Sequence, residues 1–392
     1  MKVLLITDYF QPKFPYSKEI IAQKLQHNGH TVRVVTSDRF FPFPNYAETT
    51  QAVLGDRVQK TGVVHEGGVT IVRNKTKLEI FSRVWYKGIA QEVHTFKPDK
   101  IIVFGAASPS AIIAAKVAAH IGARLTLVDS HLPSELDRGT LMQQVAKNVF
   151  YGIFRLVFAK KISSVTTQII AQQDATVALI KNTYGLTSPI QVIPNGTDVD
   201  QYYFDKSAGV ALRTKLNIPK TAFVVIYTGK IIAAKGVELL LESFSTFHKK
   251  VPNSWCVIVG EGPNVYKEQC RNKLSGSAAK HCLFVGFEKP LKLRAYYSMA
   301  DVAVWPLQDS FAMNDAAACE LVFIANDTLG DQTRISNNNA VLYKKSDTQD
   351  LASKLEYLYH HPAERKKMGK RGRVLAETVL SWDTIAQQFL AT

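Results

Sequence analysis

Residues 1–37 read MKVLLITDYFQPKFPYSKEIIAQKLQHNGHTVRVVTS. Residues 2–6 form a short apolar run of the kind buried on both faces of a sheet, and a loop with Pro12 and Pro15 follows. Helical spacing then extends over residues 17–28, Gly29 stops it, and a second apolar run spans 31–37. Strand, helix, glycine stop and strand make a βαβ unit, whose parallel strands need helices on both faces of the sheet.

Working outward, strand-type runs recur at 100–104, 124–128 and 164–171, separated by helical patterns such as 110–121. A second series opens near Ala222, with strands expected at 223–227, 255–259, 282–285 and 302–304. Residues 193–207, which include Pro194, Asn195 and Gly196, read as a linker. The expected organisation is therefore α/β, with Rossmann-like domains at 1–200 and 201–375. Ligands of such sheets bind at the carboxyl ends of the strands, so two halves facing each other would hold a site in the cleft between them.

A chain of 392 residues is too long for one core, in keeping with two domains. With 46% hydrophobic and 21% charged residues, disorder is excluded. Cys256, Cys270, Cys282 and Cys319 have no metal or redox spacing and read as reduced thiols of a cytoplasmic protein. The first apolar run is too short for a secretion signal, and no apolar stretch reaches the ~18 residues of a membrane span. The net charge of +15 asks for an anionic partner: nucleic acid, lipid headgroups or a phosphorylated substrate. No aromatic-and-basic recognition motif accompanies the charge, so nucleic acid is not the expected one.

Four stretches carry candidate chemistry, each after an expected strand of the second half. Thr228-Gly229-Lys230 and Lys235-Gly236 lead into a helix, where two ammonium groups can point at a pyrophosphate; two solvated loop lysines are the equal alternative. Gly260-Glu261-Gly262-Pro263 allows close backbone approach to a ligand, or is a tight turn. Phe284-Val285-Gly286-Phe287 could wall a base pocket or simply end a strand. Asp309-Ser310-Phe311 precedes an Ala-rich helix with Asp315 in its first turn, where a carboxylate accepts from two adjacent hydroxyls or only complements the helix dipole.

Elsewhere, Asp198-Val199-Asp200 mimics a metal-binding motif of another fold, and no metal is assigned to it. Gly67-Gly68 reads as a turn between strands. Residues 145–162 interleave Phe150, Tyr151, Phe154 and Phe158 with Lys147, Arg155, Lys160 and Lys161. That pattern suits an anionic lipid surface or a core helix with snorkelling cations. Lys366, Lys367, Lys370, Arg371 and Arg373 read as a solvated helix face.

The motifs occur in a telling order: Asn28-Gly29-His30, Pro194-Asn195-Gly196-Thr197-Asp198, Gly229-Lys230 with Lys235-Gly236, Gly260-Glu261-Gly262, Phe284-Val285-Gly286, then Asp315-Ala316-Ala317-Ala318-Cys319. In that order and spacing they resemble glycosyltransferase family 4, retaining enzymes of the GT-B fold. The resemblance implies that Lys230 and Lys235 hold the donor diphosphate and Asp315 the ribose. It also implies that amides around Ser310 and Phe311 cap the leaving phosphate, and that His131 lies near the transferred sugar. It implies no cofactor beyond a UDP- or GDP-sugar donor, and metal-independent transfer. The implied acceptor is a saccharide or lipid-linked saccharide precursor at the inner face of the cell membrane, and the C-terminal helix, within 376–392, crosses back to the first domain.

Several positions depart from that family's pattern. Pro15 stands in the loop after the first strand, where a glycine-rich run is usual, and has no amide to offer a phosphate. Leu307 occupies the place of an acidic residue, with Gln308 or Asp309 as substitutes in a shorter loop. Glu320, Val322 and Ala340 replace Gly, Pro and Gly. These departures leave open a non-catalytic member that binds a sugar nucleotide or a partner subunit.

Overall fold

The computed structural model describes residues 1–14, 16–43, 45–80, 82–133 and 139–391, with the backbone alone at 48 and 49. Pro15 lies outside the described residues. The chain divides into two compact units, Met1–Asn195 with Ile385–Thr392, and Gly196–Thr384. The division precedes the expected 200/201 boundary, and the return to the first unit starts at Ile385 rather than 376. The reason is packing: Met368 and Ala376 of the Pro362–Thr378 helix belong to the core of the second unit.

The first unit contains β1 (Lys2–Thr7), β2 (Thr31–Ser37), β3 (Gly62–Glu66), β4 (Val69–Asn74), β5 (Thr76–Ile80), β6 (Arg83–Tyr86), β7 (Lys100–Phe104), β8 (Arg124–Asp129), β9 (Thr166–Ala171) and β10 (Ile190–Val192). Eight of them form one sheet in the order β10-β9-β8-β7-β1-β2-β4-β3, parallel except for β3. Val3, Leu4, Leu5 and Ile6 are all fully buried, as a strand covered on both faces requires. Gly67 and Gly68, at φ 63° and 76°, make the turn from β3 to antiparallel β4. A separate hairpin of β5 and β6 brings the half-buried Arg83 against Tyr151.

Helix ends follow local chemistry. The Pro109–Ile121 helix starts at Ser108, whose hydroxyl accepts the Ala111 N–H at 3.1 Å, and stops at left-handed Gly122. The Leu141–Val157 helix starts with a capping box between Thr140 and Gln143.

The second unit holds β11 (Phe223–Thr228), β12 (Ser254–Val259), β13 (Cys282–Gly286), β14 (Val302–Trp305), β15 (Phe323–Asn326) and β16 (Ala340–Tyr343). Their order is β13-β12-β11-β14-β15-β16, and every pairing is parallel. The sequence therefore winds outward in both directions from β11 and β14, and from β1 and β7 in the first sheet. Such switch points open crevices at the carboxyl ends of strands. Finally, the Trp382–Gln388 helix carries Ile385 and Ala386 into the first unit, and Phe389 beyond it stacks on Phe104 at 6.2 Å.

Candidate active site

In the second unit, β11 leads into Gly229 (φ 142°), β12 into Gly260 (φ 145°), and β13 ends at Gly286 (φ 86°). Gly229 N–H donates to Val259 O at 3.0 Å, Gly260 N–H to Gly286 O at 2.8 Å, and Ile231 N–H to Glu261 O at 2.9 Å. A Cβ on Gly260 would collide with the Gly229 carbonyl oxygen, and one on Gly262 with that of Ile231. The close approach these glycines permit is thus to neighbouring backbone, where the sequence suggests a ligand. Glu261 pairs with Lys267 at 2.8 Å, and Phe287 is exposed.

Beside these strand ends lie three cations. Lys230 is exposed. Lys235 Nζ donates to the Asp309 carbonyl oxygen at 2.7 Å. Burial lowers the Lys235 ammonium; Asp309 works against that shift, while Arg334 and Lys230 add to it. Arg334, buried, donates to Asp331 Oδ2 at 2.8 Å and to the Ser310 carbonyl oxygen, and its guanidinium lies 5.5 Å from the Phe311 ring centroid. Asp309 in turn accepts the Asp331 N–H at 3.0 Å. Residues 309–311 are therefore clamped through their carbonyls by two of the cations.

The Ala312–Ala318 helix begins directly after this segment, with Asp315 in its first turn. Thr197 Oγ1 donates to Asp315 Oδ1 at 2.6 Å. Burial pushes the Asp315 carboxyl up to about 7, against the opposing pull of Thr197 and Arg334. Leu307 has no polar part: its side chain packs over Gly236. Glu320 adopts a left-handed φ of 57°, where glycine would be unstrained, and its carbonyl faces Gly369 so closely that a Cβ there would collide.

The first unit holds a cavity of about 550 Å³ at the carboxyl ends of β1, β7 and β8. Tyr9, Tyr16, Phe41, Trp85, Phe150 and Tyr151 supply aromatic walls, and Lys18, Arg83 and Lys147 supply cations. Asp129, fully buried, accepts the Ala106 N–H at 3.0 Å, the His131 N–H at 2.9 Å and His131 Nδ1–H at 2.8 Å. Burial alone would raise its carboxyl; the His131 bonds and the nearby Arg83 outweigh that and hold it low.

With Nδ1 facing Asp129, the other ring nitrogen of His131, Nε2, faces an Arg83 nitrogen at 3.3 Å. The other Arg83 nitrogen donates to the Tyr151 hydroxyl at 3.0 Å. Asp8 completes the cluster, accepting the Val84 N–H at 3.2 Å and the Ser110 hydroxyl at 3.0 Å; burial raises its carboxyl despite Arg83. In this arrangement His131 orients a neighbour better than it removes a proton.

The second unit thus brings Gly229, Lys230, Lys235, Gly260, Glu261, Gly262, Phe287, Asp309, Ser310, Phe311 and Asp315 to adjacent strand ends, while His131 belongs to the first unit's cavity. Sequence reasoning missed Arg334, Thr197, Asp8 and Arg83. Thr197 stands inside a motif that was singled out, but nothing local marks Arg334 or Arg83. Arg373, read as a solvated cation, donates to the carbonyls of Val199, Tyr202 and Ala318. Asp198 accepts the N–H groups of Asp200 and Gln201 and so shapes a turn.

Residues 20–201 match the family model described as Glycosyltransferase Family 4, and residues 211–375 the one described as Glycosyl transferases group 1. A GDP-mannose-dependent alpha-(1-6)-phosphatidylinositol monomannoside mannosyltransferase of Mycobacterium tuberculosis is 26% identical over 72% of each chain. Alpha-monoglucosyldiacylglycerol synthase of Acholeplasma laidlawii is 26% identical over 47% of each. Among solved structures, HepE from Anabaena in complex with UDP superposes with a TM-score of 0.69 over 100% of this chain and 98% of its own, at 15% identity.

Proposed function

The chain belongs to glycosyltransferase family 4, with the GT-B fold, and from that premise we propose that it moves a sugar from a UDP- or GDP-sugar to a lipid-linked or surface-glycan precursor, with retention and without a metal. The observation that carries this reading is the trio Lys230, Lys235 and Arg334 around residues 309–311, with Asp315 one helical turn away. A diphosphate that leaves takes up negative charge, and the anchored Lys235 and Arg334 with the exposed Lys230 can stabilise it where another enzyme would use a divalent ion. Asp315, with one oxygen occupied by Thr197, keeps a second for a ribose hydroxyl.

In the proposed step, the bond from the anomeric carbon to the diphosphate oxygen breaks. The acceptor oxygen bonds to the same face of that carbon, and the acceptor proton passes to the departing phosphate. His131, held by Asp129 and Arg83, positions the reacting sugar. The aromatic cavity of the first unit takes the acceptor, whose sugar face or hydrocarbon packs on rings. Both relatives above carry a glycolipid in their names.

The test is transfer from UDP- and GDP-sugars to a bacterial lipid extract, with and without EDTA. The reading expects product from one donor class, unchanged by the chelator and with the donor's anomeric configuration by NMR. Inverted product or full chelator sensitivity would refute the mechanism. Donor binding without turnover throughout would favour the non-catalytic reading.

A further inference from the structure

The Leu141–Val157 helix has two faces of different fate. Phe154 and Tyr151 are buried, with Phe150 and Phe158 packed against the first unit's core, so the aromatic stripe is the inward one. Leu141, Met142, Val145, Val149, Ile153 and Leu156 are all exposed, from 52% at Ile153 to 87% at Leu156. At ~100° per residue these six fall within about 120° of each other, opposite Tyr151 and Phe154. An exposed aliphatic stripe of this length is unusual for a surface that meets only water.

Charge identifies what would cover it. Between Gly139 and Gln173 the sequence contains no Asp or Glu, while Lys147, Arg155, Lys160 and Lys161 fall within it. Lys160 and Lys161 are exposed just beyond the end of the helix. An aliphatic stripe with Lys160 and Lys161 at its carboxyl end and no anion in the segment complements a surface of hydrocarbon beneath anionic headgroups, whereas Lys147 faces the cavity and Arg155 is bonded to the Asn182 carbonyl oxygen. A second copy of the same face would set these cations against each other. The helix also touches the cavity: Lys147, Phe150 and Tyr151 line it from the inward side.

We propose that this helix docks the protein on an anionic lipid bilayer through its aliphatic face and so places the cavity at the membrane surface, where an acceptor headgroup can enter. The use of the cavity rests on the proposed acceptor class; the docking itself does not.

The experiment is flotation of the full chain with phosphatidylcholine vesicles containing about a third phosphatidylglycerol, and with phosphatidylcholine alone. The wild-type chain is expected to float with the anionic vesicles and to be released by salt. The Ile153→Glu/Leu156→Glu variant should bind at least roughly tenfold more weakly, and Lys160→Glu/Lys161→Glu should lose the preference for anionic lipid. Unchanged melting temperature and far-UV circular dichroism confirm that each variant folds.

Equal flotation of wild type and the Ile153→Glu/Leu156→Glu variant would overturn the proposal. So would no flotation at low salt, or a wild-type dimer that this variant dissociates. Because no donor enters the assay, flotation without any nucleotide binding would sink the functional reading and leave the docking intact.

Discussion

The two candidate regions hold their polar groups in opposite ways. In the second unit the carboxyl ends of β11, β12 and β13 are joined by backbone bonds, and the segment after β14 is held by Lys235 and Arg334, both anchored on its carbonyl oxygens. In the first unit a guanidinium, two carboxylates, an imidazole and a phenol from four distant segments close on each other around Arg83. One site is a frame of peptide groups with cations at its edge. The other is a buried charge cluster beside an aromatic cavity. The first kind tolerates loss of a side chain better, because peptide groups remain bonded to one another.

The largest effect is expected at Arg83. Burial opposes its charge, yet Asp129, Asp8 and the tyrosines around it keep it protonated. Arg83→Met would leave two buried carboxylates without their cation, and a loss of about 3–5 kcal/mol is expected in urea unfolding of the first unit. Loss below 1 kcal/mol would mean that the cluster is not the internal support described above.

In the second unit a smaller effect is expected at Asp315. Its folded carboxyl, at about 7, lies above the ordinary value near 4. The folded state therefore keeps a proton that the unfolded chain has lost, and the group's contribution falls as pH rises from about 4 to about 7. Asp315→Asn should lack this slope. Melting temperatures measured from pH 5 to pH 8 are expected to diverge by a few degrees in favour of the variant, while nucleotide affinity falls. Parallel curves would show that Asp315 is ionised throughout.

Glu320 offers the smallest effect. Glu320→Gly relieves a left-handed side chain but adds freedom to the unfolded chain, so a net gain of about 0.5 kcal/mol is expected in chemical denaturation. A loss of stability would mean that the Glu320 side chain has a role beyond the turn.

The same contrast explains what could be read from sequence. Strand 31–37 and strand 100–104 were legible to the residue, since a buried parallel strand is a local apolar run. The placement of the second unit's candidate residues was legible too: Gly229, Lys230, Lys235 and Gly260 sit at fixed offsets from the strands that carry them. Arg334 was not, because it reaches Ser310 from a short turn after β15 that has no motif. In the first unit only His131 could be singled out. Asp8, Arg83, Ser110 and Asp129 meet only once the order β8-β7-β1 is known. Residues 145–162 read as amphipathic from sequence, but which stripe faces outward depends on packing, and the aromatic one turns inward.

The central claim is that the trio of cations and Asp315 bind a nucleoside diphosphate, and calorimetric titration of the protein with UDP and GDP tests it most directly. Saturable binding of one of them, weakened at least roughly tenfold in Lys235→Ala and in Asp315→Ala with the fold intact, is the predicted result. No binding of either nucleotide, or binding that both substitutions leave unchanged, would contradict it.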